Sequence, residues 1–450
     1  MNNKIPSISL ILSIACCAIS TLSARVDPLE QAKQNIEQFR KGPISITLTD
    51  EAGNPMKDVS VSIEQQTHDF LFGSIVFDLT REDFITPEQD AELKDKFSNL
   101  FNLAILPFYW AGYERNPGHP TWQKIDEVLE WCRSNGIQTK GHPLAWSNIA
   151  GTPAWLYEIP ADYATTLLKA RIIENVLGFK GQIDIWDVVN ETSNTISWTE
   201  ALKESGFIND ERYGGYENSV QSIADWVAPC YEWARTCDPD ATLLLNDFGQ
   251  IAFPDIRQRF FDLVKEFQSR NTPIDGIGLQ AHEPRLQWYS PDEVWDTLEL
   301  YSQLGLPIHF SEFHPHSLGA SIEGGYREGN WTPETQAAYG EQMFTLAFGH
   351  PSVVSFCWWE ITELDTYIKG SAILNKDLSP KPAYEMLDRL INHDWKTRTQ
   401  AQTDNQGHIA LRGFYGDYLV SVRLADGTKR DFRLSHTRGT PGDWNIQIVD

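Results

Sequence analysis

Basic residues are few in this chain of 450 residues. It has 37 Lys and Arg against 62 Asp and Glu, which gives a formal net charge of −25. A chain this acidic is repelled by nucleic acid and by anionic membrane surfaces, so neither is expected as a partner. The charge is normal for an enzyme that acts on a neutral substrate, so it excludes partners without naming one.

Cysteine is also scarce, with six residues, of which two lie in the apolar N-terminal stretch. The remaining four form no Cys-x-x-Cys pair of the kind that binds zinc. They are Cys132, Cys230, Cys237 and Cys357. Two alternatives stay open for Cys230 and Cys237, which flank the end of a predicted helix: a disulfide in an oxidising compartment, or two of four buried thiols.

The apolar stretch Ile8–Ile19 is too short and too close to the N-terminus to be a membrane span. It follows Lys4 and leads into small residues up to Ala24, the pattern of a signal peptide cleaved after Ala24. The sequence therefore predicts a secreted or periplasmic protein with residues 1–24 as the signal. A lipid anchor on Cys16 is the weaker alternative, because the preceding Ser13-Ile14-Ala15 fits such a signal poorly.

Aromatic residues are plentiful, with 16 Trp and 15 Tyr, and 41% of the chain is hydrophobic. A single Trp is most often a core residue, and the composition provides for a sizeable core. As a population these rings also suit a protein that stacks on the flat apolar faces of sugars.

From residue 70 onward, short apolar runs alternate with longer helical stretches. Eight runs are predicted as strands: 70–77, 101–107, 137–146, 183–190, 241–247, 274–281, 306–312 and 352–359. Helices are predicted at 88–99, 121–135, 161–179, 217–236, 254–270, 291–304, 333–349 and 381–393. This alternation predicts an α/β fold, a (β/α)₈ TIM barrel over 67–393. A doubly wound open sheet is the alternative, but the first strand runs into Asp78-Leu79-Thr80-Arg81 rather than a glycine-rich phosphate loop.

Segments with the two-residue period of β-strands flank the barrel. Residues 45–49 and 59–63 alternate around a turn cluster at 50–55, which predicts a β-hairpin within an N-terminal segment, 25–66. In the C-terminal segment, 394–450, strands are predicted at 419–422 and 431–434 around Asp426-Gly427. The two segments are expected to pair as one small β appendage, either a brace for the barrel or a sugar-binding module.

Polar and aromatic side chains collect at the ends of six of the eight predicted strands, and in a barrel those ends form the rim that carries the active site. They lie at 140–146, 186–191, 246–247, 280–282, 309–312 and 358–359. Two glutamates stand out, Glu191 after the fourth strand and Glu312 at the end of the seventh.

Two carboxyl groups that flank a bond are what glycoside hydrolysis requires, one to protonate the leaving oxygen and one to attack the anomeric carbon or activate water. The neighbours of Glu191, among them Trp186, can raise its pKa by desolvation. Asn190 is placed to hold a sugar hydroxyl, and His282 to hydrogen-bond Glu312. The sequence thus predicts Glu191 as the acid/base.

The motifs at these strand ends resemble glycoside hydrolase family 10, the family of retaining endo-β-1,4-xylanases. The acid/base motif is Trp186-Asp187-Val188-Val189-Asn190-Glu191, and 243–247, 276–282 and 370–384 are similar to the family's fifth-strand, sixth-strand and closing segments. The resemblance spans about 70–393. It implies a retaining hydrolase of β-1,4-xylosidic bonds in a polysaccharide or oligosaccharide, with Glu312 as nucleophile. It also implies that the reacting sugar is lined by His142, Trp146, Asn190, Gln280, His282 and Trp359.

One stretch, Ile361-Thr362-Glu363-Leu364-Asp365, is spelled like the nucleophile motif of the family. It follows the eighth predicted strand, whereas the nucleophile belongs to the seventh. The strand order therefore assigns the nucleophile to Glu312 and not to Glu363.

The chain also departs from the family at the neighbouring subsite. After strand 2 the family's Glu-Asn and Lys are replaced by Leu106-Pro107-Phe108-Tyr109-Trp110, from which Tyr109 and Trp110 are expected to stack on a sugar. A family His is Ser147, the Asp two residues after the nucleophile is His314, and a second Trp of the eighth loop is Tyr367. The resemblance therefore leaves the substrate open between plain xylan and a different or decorated β-glycan.

No phosphate loop or metal-ligand cluster occurs in the sequence, so neither a cofactor nor a metal is expected. His309, His314 and His316 lie around Glu312, but their spacing at a strand end is not a zinc signature. A non-catalytic carbohydrate-binding protein is the alternative from another class. It is disfavoured because both glutamates are present.

Overall fold

The computed structural model describes residues 26–449 apart from 82, 121, 149 and 193–218, so the predicted signal peptide lies outside it. The strands are β1 (Lys41–Thr49), β2 (Ser60–Gln65), β3 (Leu71–Ile75), β4 (Leu103–Pro107), β5 (Gln138–His142), β6 (Ala145–Trp146), β7 (Ile185–Asn190), β8 (Thr242–Asp247), β9 (Gly276–Leu279), β10 (Ile308–Phe313), β11 (Val353–Trp358), β12 (Arg398–Gln402), β13 (His408–Phe414), β14 (Gly416–Arg423), β15 (Lys429–His436) and β16 (Gly442–Gln447). The helices are α1 (Pro28–Phe39), α2 (Pro87–Leu100), α3 (Trp110–Tyr113), α4 (Trp122–Ser134), α5 (Ala161–Gly178), α6 (Val220–Cys237), α7 (Pro254–Ser269), α8 (Pro291–Ser302), α9 (Pro333–Gly349) and α10 (Pro382–Arg389).

The central sheet is a closed parallel barrel. Its strands follow the order β3-β4-β5-β7-β8-β9-β10-β11, with β6 as a short continuation of β5 beside β7. The last strand pairs with the first in parallel, Ser355 opposite Leu71, which closes the sheet. All six residues of β7 and all six of β10 are buried, as expected for strands covered on both faces. The predicted (β/α)₈ barrel is confirmed.

Three helices around the barrel begin at the same sequence signal. Thr86, Ser290 and Thr332 each accept a hydrogen bond from the backbone N–H three residues later, and a Pro follows each of them at the first helical position. The hydroxyl satisfies an N–H group that has no partner inside the helix, and proline loses nothing there because its missing N–H would be unpaired. These caps fix where α2, α8 and α9 begin.

The terminal segments form a two-sheet sandwich beside the barrel. One sheet has the order β13-β1-β16 and the other β12-β2-β14-β15. The prediction that both termini build one β unit is confirmed. The strands predicted at 419–422 and 431–434 lie within β14 and β15, which pair antiparallel. The predicted hairpin of β1 with β2 is wrong, because the two strands lie in different sheets. Apolar side chains from both sheets meet in a shared core that a hairpin would leave half exposed.

The sandwich is fastened to the barrel through Arg40, which lies between α1 and β1. Its guanidinium group donates hydrogen bonds to the carbonyl oxygens of Phe348, His350 and Val353 at 2.6, 2.8 and 2.7 Å. Burial lowers the pKa of Arg40 to about 9. Gly349 at the end of α9 allows a close approach of α1, since a Cβ there would meet Ala32 at 2.5 Å. These contacts fit a brace.

The four cysteines outside the predicted signal are buried and unpaired, so the alternative with buried thiols is the one that the structure has. In the described ranges, no helix combines the length and apolar character needed to cross a membrane.

Candidate active site

The carboxyl ends of the barrel strands open into a cleft with a volume of about 1730 Å³. Glu191, which follows β7, and Glu312 in β10 both line it, as the strand-end argument predicts. Tyr109, Trp146 and Trp359 line the cleft beside them. Two carboxyl groups and several aromatic rings therefore face one space large enough for several sugar units.

Glu191 is fixed at its backbone and at both carboxyl oxygens. Its φ of 59° lies in the left-handed region, and its N–H donates to the carbonyl of Asn246 at 2.8 Å. Trp146 Nε1 donates to Oε2 at 2.9 Å and Gln280 Nε2 donates to Oε1 at 3.1 Å. Burial, reinforced by the charge of Glu312, raises the pKa of Glu191 to about 8. The carboxyl group is therefore protonated at neutral pH, as a general acid must be.

Glu312 lies among hydrogen-bond donors and is 6% exposed. Asn246 Nδ2 donates to its Oε1 at 2.7 Å. His142 Nε2 lies 3.9 Å from the same oxygen, and His282 Nε2 lies 3.7 Å from Oε2. These groups hold the carboxylate in one orientation.

A layer of buried amides links the two carboxyl groups. Ser311 Oγ donates to Asn246 Oδ1 at 2.6 Å, which turns the amide nitrogen of Asn246 toward Asn190 Oδ1 at 2.9 Å and toward Glu312. Gln280 Nε2, which contacts Glu191, also reaches Asn190 Oδ1 at 3.3 Å. Buried polar networks with their partners in place rigidify a site, so this layer holds the glutamates in register.

A buried charged cluster lies beneath the cleft. Asp187 Oδ2 accepts from Lys140 Nζ and pairs with His142 Nδ1, each at 2.7 Å, and all three side chains are at most 2% exposed. Burial alone would raise the pKa of Asp187, but Lys140 and His142 outweigh it and lower that pKa. The cluster orients His142 so that its other ring nitrogen faces Glu312.

This pair of glutamates, on the fourth and seventh barrel strands, coincides with a match to a known family. The family model described as Glycosyl hydrolase family 10 matches residues 80–389, more than two thirds of the chain. The chain belongs to glycosyl hydrolase family 10. The resemblance inferred from the motifs is thereby confirmed.

Curated relatives include proteins with the family's activity in their names. "Endo-1,4-beta-xylanase 1" of Arabidopsis thaliana is 24% identical over 435 residues, which are 94% of this chain and 41% of that protein. "Beta-1,4-xylanase" of Dictyoglomus thermophilum is 32% identical over 188 residues, 42% of this chain and 49% of that one. "Anti-sigma-I factor RsgI6" of Acetivibrio thermocellus is 26% identical over 93% of this chain and 50% of its own length. The chain thus spans half or less of these relatives.

Solved structures of family 10 proteins share the fold. Xylanase 10B from Thermotoga petrophila RKU-1, in complex with xylobiose, has a TM-score of 0.57 and 21% identity, covering 72% of this chain and 95% of that one. A family 10 protein from Paenibacillus barcinonensis has a TM-score of 0.56 at 21% identity over 71% of this chain and 94% of that one.

Glu363, which carries the spelling of the family 10 nucleophile motif, lies outside the residues that line the cleft. Its carboxylate pairs with Lys381 Nζ at 2.5 Å and accepts from the backbone N–H groups of Gly370 and Ala372 at 3.0 and 3.1 Å. Each contact ties the loop after β11 to itself, so Glu363 has a structural role.

The prediction that Trp110 stacks on a sugar is wrong. Its indole is 2% exposed, donates to Glu114 Oε2 at 2.8 Å and lies edge-on to Trp155. The reason is that α3 begins at Trp110 and turns this side chain under the rim, which the sequence pattern did not indicate. Tyr109, one residue earlier, does face the cleft and lies within 5.7 Å of the Trp146 ring.

The other predicted sugar contacts divide between the surface of the cleft and its support. Trp146, His282, Trp359 and Tyr367 line the cleft. Of these, Tyr367 is the most exposed, at 66%, and its hydroxyl is bound by Arg285 at 2.6 Å. The remaining three residues lie behind the carboxyl groups and hold them: His142, Asn190 and Gln280.

The three histidines around Glu312 do not form a metal site, and no group of metal-ligating side chains occurs in the described part of the chain. Burial lowers the pKa of His309 to about 3, and its ring is hydrogen-bonded to Ser355. His314 stacks on His282 with ring centroids 4.7 Å apart.

Three positioning residues were missed by sequence reasoning: Lys140, Asp187 and Asn246. All three lie in the strand-end segments. The signal that finds them is a polar or charged residue inside an otherwise apolar strand. A charged side chain is almost never fully buried without a partner, so two charged residues on neighbouring apolar strands, Lys140 and Asp187, indicate a buried ion pair.

Proposed function

We propose that this chain is a retaining glycoside hydrolase of the endo-1,4-β-xylanase type, acting on a xylan-like β-linked polysaccharide or oligosaccharide. The observation that carries the proposal is the pair of glutamates in one cleft, with the pKa of Glu191 at about 8 beside the carboxylate of Glu312. Family membership and xylanases among the relatives support it.

The proposed reaction has two steps. Glu312 Oε attacks the anomeric carbon while Glu191 gives its proton to the leaving sugar oxygen, so the glycosidic bond breaks as a glycosyl–enzyme ester forms. Glu191, now a carboxylate, then takes a proton from water, whose oxygen attacks the same carbon and releases Glu312. Trp146 and Gln280 each donate a hydrogen bond to one oxygen of Glu191, and these bonds stabilise the carboxylate that acts as the base.

This mechanism predicts net retention at the anomeric carbon. Two displacements on one carbon each invert it, so the product first formed from a β-linked substrate is the β-anomer. Proton NMR of the first minutes of hydrolysis, before mutarotation, distinguishes the anomers. An α-anomer as the first product would show that water attacks directly and that Glu312 is not a nucleophile.

We further propose that a decorated chain is a better substrate than plain linear xylan. The family has Asn and Lys at the end of strand 2, whereas the residues that line the cleft here include Tyr109, Arg115 and Lys124. A site made of hydrogen bonds discriminates more sharply than one made of stacking, and lost polar contacts also weaken the orientation of the scissile bond.

We expect a higher kcat/KM on glucuronidated or arabinosylated xylan fragments than on linear xylohexaose. Tyr109→Phe is the matched variant, because it keeps the ring and removes the hydroxyl. That hydroxyl is the group that would replace the hydrogen bond made by Asn and Lys in the family. Linear xylohexaose emerging as the best substrate of the wild-type enzyme would refute the preference.

Secretion is part of the proposal. It rests on the pattern of Lys4, the apolar stretch and Ala24 in the sequence. The intact mass of protein recovered from outside the cytoplasm tests it, since cleavage after Ala24 leaves a chain that begins at Arg25.

A further inference from the structure

His282 lies between two carboxylates, one on each side of its ring. Its Nε2 is 3.7 Å from Glu312 Oε2, and its Nδ1 is 3.6 Å from Glu283 Oε1. The His282 side chain is 10% exposed and that of Glu283 25% exposed. Both pairs lie at ion-pair distance in a setting where solvent screens them weakly.

The charges of this arrangement are consistent with one another. Burial lowers the pKa of His282, but Glu283 and Glu312 outweigh that effect and raise it to about 9. Burial likewise raises the pKa of Glu283, while His282 and Arg285 together lower it. At neutral pH an imidazolium therefore stands between two anions.

His314 supplies no anion to His282, although it stands where the family pattern has an aspartate. It stacks on His282 and is 2% exposed, and burial with the charges of His282, Arg285 and His316 lowers its pKa well below the usual value. The ring is therefore neutral. Neither of its nitrogens has a hydrogen-bond partner among the described residues.

Glu283 is itself held in place, by Arg285 Nε at 2.7 Å. The orientation of His282 also affects Glu191, the other catalytic glutamate. Its Nε2 donates to Gln280 Oε1 at 2.7 Å, which leaves the Gln280 nitrogen facing Glu191. A rotation of the imidazole would thus disturb the ion pair with Glu312 and, through Gln280, a hydrogen bond of Glu191.

We propose that Glu283 is a positioning residue for the reaction, which keeps His282 oriented with Nε2 toward Glu312 and Gln280 and so replaces an anion that residue 314 does not provide. The proposal rests on the proposed function, in that the reaction it serves is glycoside hydrolysis. It concerns a residue one position beyond the sixth-strand motif.

The test compares Glu283→Gln with Glu323→Gln, an exposed carboxylate that sits in the loop between β10 and α9. Nitrogen-15 NMR of the His282 ring in the free enzyme measures its pKa, and kcat/KM on an aryl β-xylobioside measures the reaction. We expect Glu283→Gln to lower the pKa of His282 by about one unit or more. Because the imidazole then loses one of the two groups that orient it, we also expect kcat/KM to fall by about tenfold. Glu323→Gln should change neither quantity.

A compensating variant separates positioning from general stability. Adding His314→Asp to Glu283→Gln restores an anion next to His282 and should recover much of the lost activity, which a merely structural role for Glu283 would not explain. The charged or titratable groups around the His282 ring that can influence this titration are Glu312, Glu283, His314, His316 and Arg285.

An unchanged pKa of His282 in Glu283→Gln would overturn the proposal, and so would a lowered pKa with unchanged kcat/KM. If Glu283→Gln does not fold, Glu283→Asp, which keeps the charge on a shorter side chain, decides by the same two measurements: the pKa of His282 should stay high while kcat/KM falls. A wild-type enzyme without activity on any glycoside would overturn the proposed function instead, and the titration would still show whether Glu283 holds His282.

Discussion

Glu312→Ala is expected to abolish turnover, with a loss in kcat of roughly 10⁴- to 10⁶-fold, the range found when single residues of a catalytic triad are removed. The glycosyl–enzyme ester cannot form without the Glu312 carboxylate. Asn246 Nδ2, which donates to Glu312 at 2.7 Å, would also lose an acceptor in the buried amide layer. Steady-state kinetics on an aryl β-xylobioside measures the loss of turnover, and mass spectrometry shows whether the glycosyl–enzyme ester forms.

The matched control is Glu363→Ala, at the position that imitates the nucleophile motif. Removing Glu363 leaves Lys381 buried without its charged partner, which costs about 3 kcal/mol of folding free energy. We therefore expect a lower Tm but most of the wild-type activity per folded molecule. A dead Glu363 variant beside an active Glu312 variant would reverse the assignment of the two residues.

Glu191→Gln is expected to lower kcat on xylo-oligosaccharides by about 10²- to 10⁴-fold, the usual contribution of general acid catalysis. The amide keeps the shape of the side chain but has no acidic proton for the leaving oxygen. Aryl glycosides whose leaving group needs no protonation should still form the ester, which then accumulates because its hydrolysis lacks a base. A burst of released phenol followed by a slow phase is the measurement.

The pH dependence of the wild-type enzyme follows from the same residue. Glu191 must be protonated in the first step, and its pKa is about 8, so kcat/KM should fall as the pH rises through about 8. Glu191→Gln should lack this alkaline limb. The limb persisting unchanged in the variant would assign it to another group, and His282 is the next candidate.

The same pKa has a consequence for stability. An unfolded glutamate titrates near 4.3, so between that pH and about 8 the folded protein binds a proton that the unfolded chain has lost. Stability attributable to Glu191 is complete below the unfolded pKa and is lost as the pH rises through the folded one. Glu191→Gln should thus melt at a higher temperature than the wild type at pH 8, and this gain should vanish at pH 4.

The parts of the structure that follow local rules were predictable. The barrel strands are apolar runs bounded by turns, and parallel topology places all their ends at one rim, so Glu191 and Glu312 could be paired without knowing any distance. Strand order alone separated Glu312 from Glu363.

The two failures have different causes. β1 and β2 read as a hairpin because they are adjacent in sequence, yet each finds its partners about 340 to 400 residues later. Trp110 and Tyr109 are neighbours with the same aromatic character, and the start of a one-turn helix decides which of them faces the cleft. The strand pairing is long-range, whereas the burial of Trp110 is a local effect that the aromatic pattern does not reveal.

The pairing of β1 with β16 bears on how the protein is made. Ile44 and Leu48 lie opposite Gly442 and Ile446 in a parallel pair, so the third strand of that sheet is synthesised only after the whole barrel. During translation the barrel sequence is complete while β1 still lacks this neighbour and exposes an unpaired edge. A chain that stops short of Gly442 would keep that edge open to β1 of a second chain, and edge-to-edge association of such fragments is the expected fate of premature termination.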